Sequence, residues 1–446
     1  MTFTSLNAAR FFLGIVSIAA IVTSCAATPE QSASSIQPPS SQPAPTPPTT
    51  VPSIPPFSSS GNADMDRWRD DYAARALSDG RDPIIVYETL ADIRPLALYL
   101  SADDSTKGTD VSDQAEFAKP IWDYVEAAVT SSRMTRGAQK LAELQTTFDQ
   151  IEAQHGVDRN ALTAIWAMET NLGSYIGEFD AANTLSNMAV EGRRKSFAER
   201  ELNALITLQE RGIVTRDQLV SGWAGAMGQT QFMPTTFLAY AVDGDGDGRK
   251  DLWNSEADAL ASAANYLKVS GYQKNVPWGL EVLAPADFDW SLADGRSRQI
   301  ATWLARGLSP VRGNSVSVSD ITPAELWLPA GATGPKYLLF QNFDVFKTYN
   351  RSDSYAFSVG LLTDGVGGQA GPVMPWPTEL KLLSKQDIKL LQTNLNRLGF
   401  DAGPIDGIAG RGTKGALRRF QAANNIRPAD GFPTQQALAQ LLSAAG

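Results

Sequence analysis

The sequence predicts a mainly α-helical protein with two globular parts, and three observations support this. Apolar residues recur at three- and four-residue spacing in windows such as residues 138–151 and 199–209, which is the period of an amphipathic helix. Residues 378–446 contain a compact pattern of three short helices. Alternating strand patterns are hard to find in either part, so we expect few strands.

The composition limits the chemistry that this chain can perform. Its 446 residues include one His and one Cys, which are His155 and Cys25. This excludes a two-His metal site, a Cys-rich zinc site and a disulfide framework, and a Ser-His-Asp triad would depend on His155 alone. The formal net charge of −10 disfavours DNA or RNA as a partner, because phosphate binding needs clustered positive charge.

The N-terminus has the pattern of an export signal. Arg10 precedes an apolar run over residues 11–22, which is shorter than the roughly 20 residues of a spanning helix and fits the core of a signal peptide. Small residues then lead into Cys25, a pattern that resembles a bacterial lipobox, in which Cys25 is the lipidated first residue of the mature protein. The alternative is ordinary cleavage after Ala26 or Ala27, which leaves a soluble periplasmic protein. Ala26 after the cysteine favours the outer membrane, so we predict a periplasmic protein with a lipid anchor there.

A segment rich in Pro, Ser and Thr follows the signal. It has too little apolar surface to offset its ordering entropy, so it is predicted to be a tether, semi-extended at about 3.1 Å per residue. A Gly- and Pro-rich stretch later separates the two globular parts. The predicted organisation is a signal peptide at 1–25, a tether at 26–62, a main domain at 63–363, a linker at 364–377 and a second domain at 378–446.

One carboxylate of the main domain falls on the apolar stripe of a predicted helix. Residues 158–173 begin with a suitable N-cap and end in glycine. Leu162, Ile165, Trp166 and Glu169 stand at i, i+3, i+4 and i+7, so the carboxyl group faces the apolar side. Desolvation disfavours a carboxylate anion, so the pKa of Glu169 should be raised, as a general acid requires.

The periodicity also allows a plainer interpretation, in which Glu169 lies at the rim of the stripe and reaches water or pairs with Arg193 or Arg194. A Gly-rich loop at residues 222–234 favours the first interpretation. Its small residues let a ligand approach the backbone, and its Gln side chains can bind sugar hydroxyls and N-acetyl groups. The loop lacks the strand, the helix and the lysine of a phosphate loop.

Three separate motifs of the main domain resemble the lytic murein transglycosylases of the membrane-bound B type. They are the helix end at 167–173, the loop at 222–234 and the pair Tyr349–Asn350, and they occur in the family's order. The resemblance covers roughly residues 63–362 and implies a lysozyme-like, α-rich catalytic domain with Glu169 as the single catalytic acid and base. By the same matching, the glycan cleft would be lined by Tyr124, Arg193, Arg194, Phe197, Gln231, Phe232, Tyr266, Tyr349, Asn350 and Tyr355.

Two positions depart from the family pattern. The family often places a Ser immediately before the aromatic residue of the Gly-rich loop, where this chain has Gly222, with Ser221 one residue earlier. In the family that Ser helps polarise the catalytic carboxyl group, so either Ser221 takes over the role or the role is lost. Phe197 stands where Tyr is common, which would keep stacking but remove a hydroxyl group.

A single carboxyl group indicates a lyase-type cleavage. Retaining and inverting glycosidases ordinarily use two carboxylates, and no second acid stands out in these motifs. Glu169 would protonate the oxygen of the β-1,4 bond between N-acetylmuramic acid and N-acetylglucosamine. It would then accept the proton of the muramyl C6 hydroxyl, which closes on C1, while the acetamido group of the substrate stabilises the cationic centre. The product would be a 1,6-anhydromuramyl end.

An acidic loop that starts at Asp243 has the pattern of a cation site. Carboxylates alternate along it and a Gly stands at the sixth position, but the twelfth position is Asn254 and not Glu. Its resemblance to the family's EF-hand-like loop implies that Asp258 closes the site. We expect structural Ca²⁺ or Na⁺, with a metal-free acidic turn as the alternative, and no cofactor for the chemistry. The predicted ligands are Asp243, Asp245, Asp247, Arg249 and Asp258.

Residues 378–446 resemble a peptidoglycan-binding domain of the first type. Ser384 with Asp387 is expected to begin the first helix, Thr413 to cap the second and Thr434 to cap the third. Such a domain would hold the enzyme on glycan strands and raise the local substrate concentration. The alternative is a helical cap without a ligand. The matching hallmark residues are Asp406, Gly407, Gly410, Thr413, Ala416, Phe420 and Gln421.

The sequence leaves two other functions open. One is a lipoprotein that tethers the outer membrane to peptidoglycan through its C-terminal domain while the main domain is inactive, and Gly222 is the best support for it. The other is a hydrolytic muramidase, which also uses Glu169 but in which water, and not the C6 hydroxyl, reacts at C1. A zinc amidase is disfavoured because His155 is the one available imidazole. The expected partners are peptidoglycan glycan strands and, through the lipid, the outer membrane.

Overall fold

The computed structural model describes residues 54–100, 120–313, 317–369 and 371–445. The predicted signal peptide, Cys25 and most of the predicted tether lie outside the described residues. Within these ranges no helix combines the length and the apolar character needed to cross a membrane.

Helices form most of the described chain, which confirms the predicted fold class. The α-helices are α1 (Ala63–Ser78), α2 (Pro83–Leu90), α3 (Ala97–Leu100), α4 (Ile121–Ala128), α5 (Ser131–Glu143), α6 (Gln145–His155), α7 (Arg159–Thr170), α8 (Ala181–Glu191), α9 (Lys195–Glu210), α10 (Pro234–Tyr240), α11 (Glu256–Val269), α12 (Ile300–Ala305), α13 (Gln341–Phe346), α14 (Asp353–Val366), α15 (Lys385–Arg397), α16 (Arg411–Ala423) and α17 (Gln435–Ala445). The strands are β1 (Phe179–Asp180), β2 (Val220–Ser221), β3 (Gly279–Leu283), β4 (Ser297–Gln299), β5 (Ser309–Pro310), β6 (Pro323–Trp327) and β7 (Tyr337–Leu339).

Two hydrophobic clusters form the core of the main body, by which we mean residues 54–369. The first surrounds α7 and α14 and includes Trp166 and Phe357. The second surrounds α1, α8 and α9 and includes Trp68 and Leu205. Tyr349 packs against both clusters, so the segment between α13 and α14 lies at their junction.

A five-stranded antiparallel sheet, which the sequence pattern did not reveal, completes the main body. Its strand order is β4-β6-β7-β3-β5, and Leu326 of β6 pairs with Leu338 of β7. Val282, Leu326 and Leu338 pack with Trp303 of α12 in a third hydrophobic cluster. These strands are only two to five residues long, too short for a clear alternation of apolar and polar residues.

Two helix boundaries differ from the periodic windows in the sequence. The window 138–151 contains a break at Leu144, where α5 ends and α6 begins. The helix predicted over 158–173 starts as expected with Asp158, whose side chain accepts a hydrogen bond from the Asn160 amide at 2.6 Å. It ends at Thr170 and not at Gly173, because Asn171 adopts the left-handed conformation at φ 52° and stops the helix first.

The predicted tether ends earlier than residue 62. Phe57 stacks on Tyr87 with 5.3 Å between ring centroids, and the guanidinium of Arg69 lies 4.5 Å from the Phe57 centroid. The buried Arg69 side chain also donates a hydrogen bond to the Ser58 carbonyl at 2.9 Å. The Pro- and Ser-rich composition concealed this contact, because one aromatic ring is enough to fix the chain on the main body.

The C-terminal domain, residues 384–445, consists of α15, α16 and α17 around a small apolar core. Ser384 and Asp387 form the expected capping box, and Thr434 accepts a hydrogen bond from the Ala437 amide at 3.1 Å. The prediction that Thr413 caps the second helix was wrong. That helix begins at Arg411 after Gly410, and Thr413 lies inside its first turn, where it is buried.

Gly360 of α14 lies where the packing leaves no room for a side chain. A Cβ atom there would lie 2.3 Å from the indole of Trp278, which is held by a 3.1 Å hydrogen bond to Asp364 and by stacking on Tyr337. We expect Gly360→Ala to lower the free energy of unfolding in urea by about 1–3 kcal/mol. Gly371→Ala, which meets nothing within 4 Å, is the matched control, and an equal loss in both variants would contradict this prediction.

Candidate active site

Glu169 lies near the C-terminal end of α7, two residues after a completely buried stretch at 161–167. The hydroxyl of Tyr355, in the first turn of the packed helix α14, donates a hydrogen bond to Glu169 Oε1. Glu169 itself is partly buried, and Tyr355 is 5% exposed. The carboxyl group is thus held in one orientation by a group from a distant part of the chain.

The protonation state of Glu169 is set by two opposing influences. Burial raises its pKa to about 7, and the hydrogen bond from Tyr355 acts in the opposite direction. No second carboxylate of the described chain contributes to this shift. At neutral pH both the protonated and the ionised form are therefore populated, which lets one group act first as an acid and then as a base.

An aromatic cluster adjoins the carboxyl group through Tyr349. Tyr349 lies 6.2 Å from Phe232 and 5.4 Å from Tyr266 between ring centroids. Its hydroxyl is buried and has no hydrogen-bond partner in the described part of the chain, and both burial and the charge of Glu169 raise its pKa. Tyr266 is fixed by a 3.0 Å hydrogen bond from its hydroxyl to the Thr348 carbonyl. The Tyr349 hydroxyl is thus a buried polar group near Glu169 without a hydrogen-bond partner in the described part of the chain.

The Gly-rich loop is fastened to the helix that carries Glu169 through Gln229. The indole of Trp166 donates to the Gln229 side chain at 3.1 Å, and the hydroxyl of Thr170 donates to its carbonyl at 2.6 Å. Gln229 also donates to the Trp253 carbonyl at 3.2 Å. The expectation that the Gln side chains of this loop bind sugar was wrong for Gln229, which is 5% exposed and has both ends of its amide bonded within the protein. A Gln between small loop residues is equally compatible with a solvent-facing amide, so only the fold reveals its positioning role.

Ser221 does not replace the serine that the family often has at position 222. Its hydroxyl is completely buried and donates to the carbonyls of Phe179 and Gly222 at 3.3 and 3.0 Å. At Gly222 a Cβ would lie 2.8 Å from Gln231 Oε1, so the Gln231 amide occupies part of the space beside this glycine. Among the described residues, the side chain that donates a hydrogen bond to the Glu169 carboxyl group is Tyr355.

The two arginines of the predicted cleft do not pair with Glu169. Arg193 forms an ion pair with Glu191, and the guanidinium of Arg194 lies 4.1 Å from the Phe197 ring centroid. Neither contributes to the pKa of Glu169. The charge of Arg194 lowers the pKa of Tyr99, against the larger effect of burial, which raises it. The Tyr99 hydroxyl donates to the carbonyl of the loop residue Trp223 at 2.8 Å. This places the arginine cluster beside the Gly-rich loop.

The remaining predicted cleft residues occupy the same region. Tyr124 of α4 lies close enough to Tyr355 to influence its pKa. Asn350 accepts a hydrogen bond from the Ser352 amide at 2.9 Å at the start of α14, and Gln231 donates to the Gly228 carbonyl at 3.0 Å within the Gly-rich loop. The structure therefore brings Tyr355 and Tyr349 to Glu169, joins Phe232 and Tyr266 to Tyr349, and leaves Phe197 with Arg194.

The acidic loop brings three of its predicted ligands together. Carboxylate oxygens of Asp243, Asp245 and Asp258 lie within 4.8 Å of one another. Burial and the nearby Asp245 raise the pKa of Asp258, although backbone amides of Gly244 and Asp251 donate to its two oxygens. Three clustered acids of which one is buried are a suitable donor set for a hard cation. The side chain of Asp247 does not join this group and accepts instead from the Arg249 amide at 2.8 Å.

The chain matches two protein-family models and a known enzyme sequence. Residues 64–364 match the family model described as Transglycosylase SLT domain, and residues 384–441 match the model described as Putative peptidoglycan binding domain. Membrane-bound lytic murein transglycosylase B of Escherichia coli (strain K12) is 28% identical over 255 residues, which are 54% of this chain and 66% of that protein.

Solved structures show the same fold. SltB3 from Pseudomonas aeruginosa, in complex with NAG-anhNAM-pentapeptide, is 39% identical with a TM-score of 0.78, and the match covers 85% of this chain and 100% of SltB3. The soluble lytic transglycosylase SltB1 from Pseudomonas aeruginosa is 25% identical with a TM-score of 0.58, covering 68% of this chain and 98% of SltB1.

Proposed function

Because the chain belongs to the transglycosylase SLT domain family and also matches a peptidoglycan-binding domain, we propose that it is a lytic transglycosylase acting on peptidoglycan. It cleaves the β-1,4 bond between N-acetylmuramic acid and N-acetylglucosamine and leaves a 1,6-anhydromuramyl end. The observation that carries this proposal is a single carboxyl group, Glu169, with a pKa of about 7 and no second carboxylate acting on it. The ligand bound by SltB3 contains an anhydro sugar of the kind that this reaction forms.

The reaction needs only proton transfers and one ring closure. Protonated Glu169 gives its proton to the glycosidic oxygen as the bond from that oxygen to C1 breaks, and the substrate's acetamido group stabilises the cationic C1. The resulting carboxylate is stabilised by the Tyr355 hydroxyl and then accepts the proton of the C6 hydroxyl while O6 bonds to C1. Glu169 ends protonated, and no water is consumed.

The C-terminal domain and the N-terminus extend this proposal. The domain holds the enzyme on glycan strands, and its match to the family model supports this. The chain is a periplasmic lipoprotein attached to the outer membrane through Cys25. The support for the anchor is the apolar run followed by small residues before this cysteine.

The products of digestion test the proposal. Purified peptidoglycan is incubated with the protein that starts after Cys25, and the muropeptides are analysed by mass spectrometry. We expect 1,6-anhydromuramyl ends, which are lighter than reducing ends by one water. Reducing ends would identify a hydrolytic muramidase. A folded protein that binds peptidoglycan without cleaving it would support the tethering function instead.

We also propose that Asp243, Asp245 and Asp258 hold a structural Ca²⁺ or Na⁺ ion, because their carboxylates converge. A cation at about 100 times its dissociation constant should raise the free energy of unfolding by about 2.7 kcal/mol, since it binds the folded state alone. Thermal melts with CaCl₂, with NaCl and with a chelator measure this stabilisation. Asp245→Asn should abolish the response, whereas the exposed Asp320→Asn should keep it, and identical melts in all conditions would contradict the proposal.

A further inference from the structure

A large cavity lies outside the Glu169 site. It is a cleft of about 810 Å³ between the main body and the C-terminal domain. We call it the interdomain cleft. One wall comes mainly from residues 289–297, 323–331 and 339–353 of the main body, and the other from residues 401–432 of the C-terminal domain. None of the residues predicted to line the glycan cleft belongs to it.

The two walls of the interdomain cleft carry opposite charge. The C-terminal wall is predominantly basic, with Arg411, Lys414, Arg418, Arg419 and Arg427 against two aspartates. The main-body wall is predominantly acidic, with Asp289, Asp294, Glu325, Asp344 and Asp353 against one arginine and one lysine. A ligand that carries both carboxylates and ammonium groups would complement both walls.

Two of these charged groups, Lys414 and Asp344, form no ion pair among the described residues. Lys414 is partly buried, and no carboxylate of the described residues lies within 4.0 Å of its ammonium group. Burial lowers the pKa of Lys414, as expected for an ammonium group without a close partner. On the acidic wall, Asp344 is exposed and likewise forms no ion pair among the described residues. Across the cleft, the Arg411–Glu325 ion pair at 3.3 Å joins the two walls.

The interdomain cleft adjoins the active-site segment of the chain. Lys347 and Asp353, which both line it, form a 2.6 Å ion pair. Tyr349 and Asn350 lie between these two residues in the sequence, and Asp353 begins the helix that carries Tyr355. A ligand in the cleft would therefore contact the segment that supplies the aromatic residues around Glu169.

We propose that the interdomain cleft binds the peptide stem of peptidoglycan while the glycan occupies the Glu169 site. A stem peptide is zwitterionic, since it carries α-carboxylates and the ammonium group of its diamino acid. Its carboxylates face the basic wall around Lys414, and its ammonium group faces the acidic wall around Asp344. This inference rests on the proposed function and makes peptide-substituted strands the preferred substrate. SltB3 was crystallised with a pentapeptide-bearing sugar, so one relative does accept such a ligand.

The test compares two substrates that differ only in the peptide. One is intact peptidoglycan solubilised as glycan strands, and the other is the same material after an amidase has removed the stems. Lys414→Gln should raise KM on the substituted strands about tenfold, the effect of losing one charge-assisted contact, and leave kcat and the KM on stripped strands unchanged. Lys414→Arg should retain the wild-type KM.

Lys389→Gln is the matched control, because it removes one exposed lysine of the same domain that does not line the cleft. An equal rise in KM on both substrates would overturn the peptide assignment, and so would an unchanged KM on both. A wild-type protein that cleaves neither substrate would refute the proposed function. In that case the cleft assignment is tested by binding, because it predicts that the protein is retained more strongly on peptide-substituted strands than on stripped strands.

Discussion

Glu169→Gln is expected to lower kcat/KM for the release of anhydromuramyl ends by about three orders of magnitude. The substitution keeps the shape of the side chain but removes the proton that the glycosidic oxygen needs and the base that the C6 hydroxyl needs. General acid or base assistance is typically worth about 10²–10⁴-fold, and here one group supplies both. Muropeptide release followed by mass spectrometry measures the rate.

The control for this experiment is Glu178→Gln. Glu178 is exposed and immediately precedes β1. The substitution makes the same change of a carboxylate to an amide at a position outside the proposed catalytic group. We expect near-wild-type activity from it. If both variants lost activity equally, or if Glu169→Gln remained active, Glu169 would not be the acid and base of the reaction.

The same Glu169→Gln variant should be more stable than the wild type above neutral pH. The pKa of Glu169 is about 7 in the folded state against an ordinary value of 4.5, so between these values the folded chain binds more protons than the unfolded chain. Wild-type stability therefore falls as the pH rises through this window. The difference should be on the order of 1–3 kcal/mol at pH 8 and vanish near pH 4. Urea unfolding at both pH values measures it, and a variant that is less stable at pH 8 would contradict the burial argument.

Tyr355→Phe is expected to reduce kcat by about tenfold to a hundredfold. The hydroxyl of Tyr355 donates to Glu169, and a hydrogen bond to a charged group contributes about 1.5–3 kcal/mol. Its loss removes stabilisation from the carboxylate that forms after the first proton transfer. The same hydrogen bond lowers the pKa of Glu169, so without it the pKa rises further and the alkaline limb of kcat/KM moves to higher pH.

Tyr337→Phe provides the comparison for the tyrosine. Tyr337 is buried in the same hydrophobic cluster but forms no hydrogen bond with Glu169 in the described part of the chain. Its substitution should leave the alkaline limb in place. If the alkaline limb of the pH profile of kcat/KM stayed in place in Tyr355→Phe, or moved to lower pH, Tyr355 would not act through the carboxyl group of Glu169.

The local sequence was sufficient for features that depend on residues close together in the chain. Helix periodicity placed Glu169 on an apolar face and predicted a raised pKa, because burial of one helix face follows from the spacing of its apolar residues. The capping box of Ser384 and Asp387 could likewise be predicted, since both residues belong to the same helical turn. The acidic loop showed its alternating carboxylates for the same reason.

Features that depend on distant residues appeared only in the tertiary structure. The Tyr355 hydroxyl donates a hydrogen bond to Glu169 across 186 residues of sequence, whereas the Ser221 hydroxyl donates to backbone carbonyls. The short strands of the sheet gain their stability from pairing, so their own sequences are weak signals.

The interdomain cleft is the clearest example of a feature that the sequence alone does not reveal. Its basic residues and its acidic residues each look like ordinary solvated charges along the chain, and the net charge of the protein is negative. The sequence by itself determined a mainly helical chain with one candidate acid and a C-terminal binding domain. The tertiary structure decided what surrounds that acid and which charges face one another, because those depend on how elements far apart in the sequence pack together.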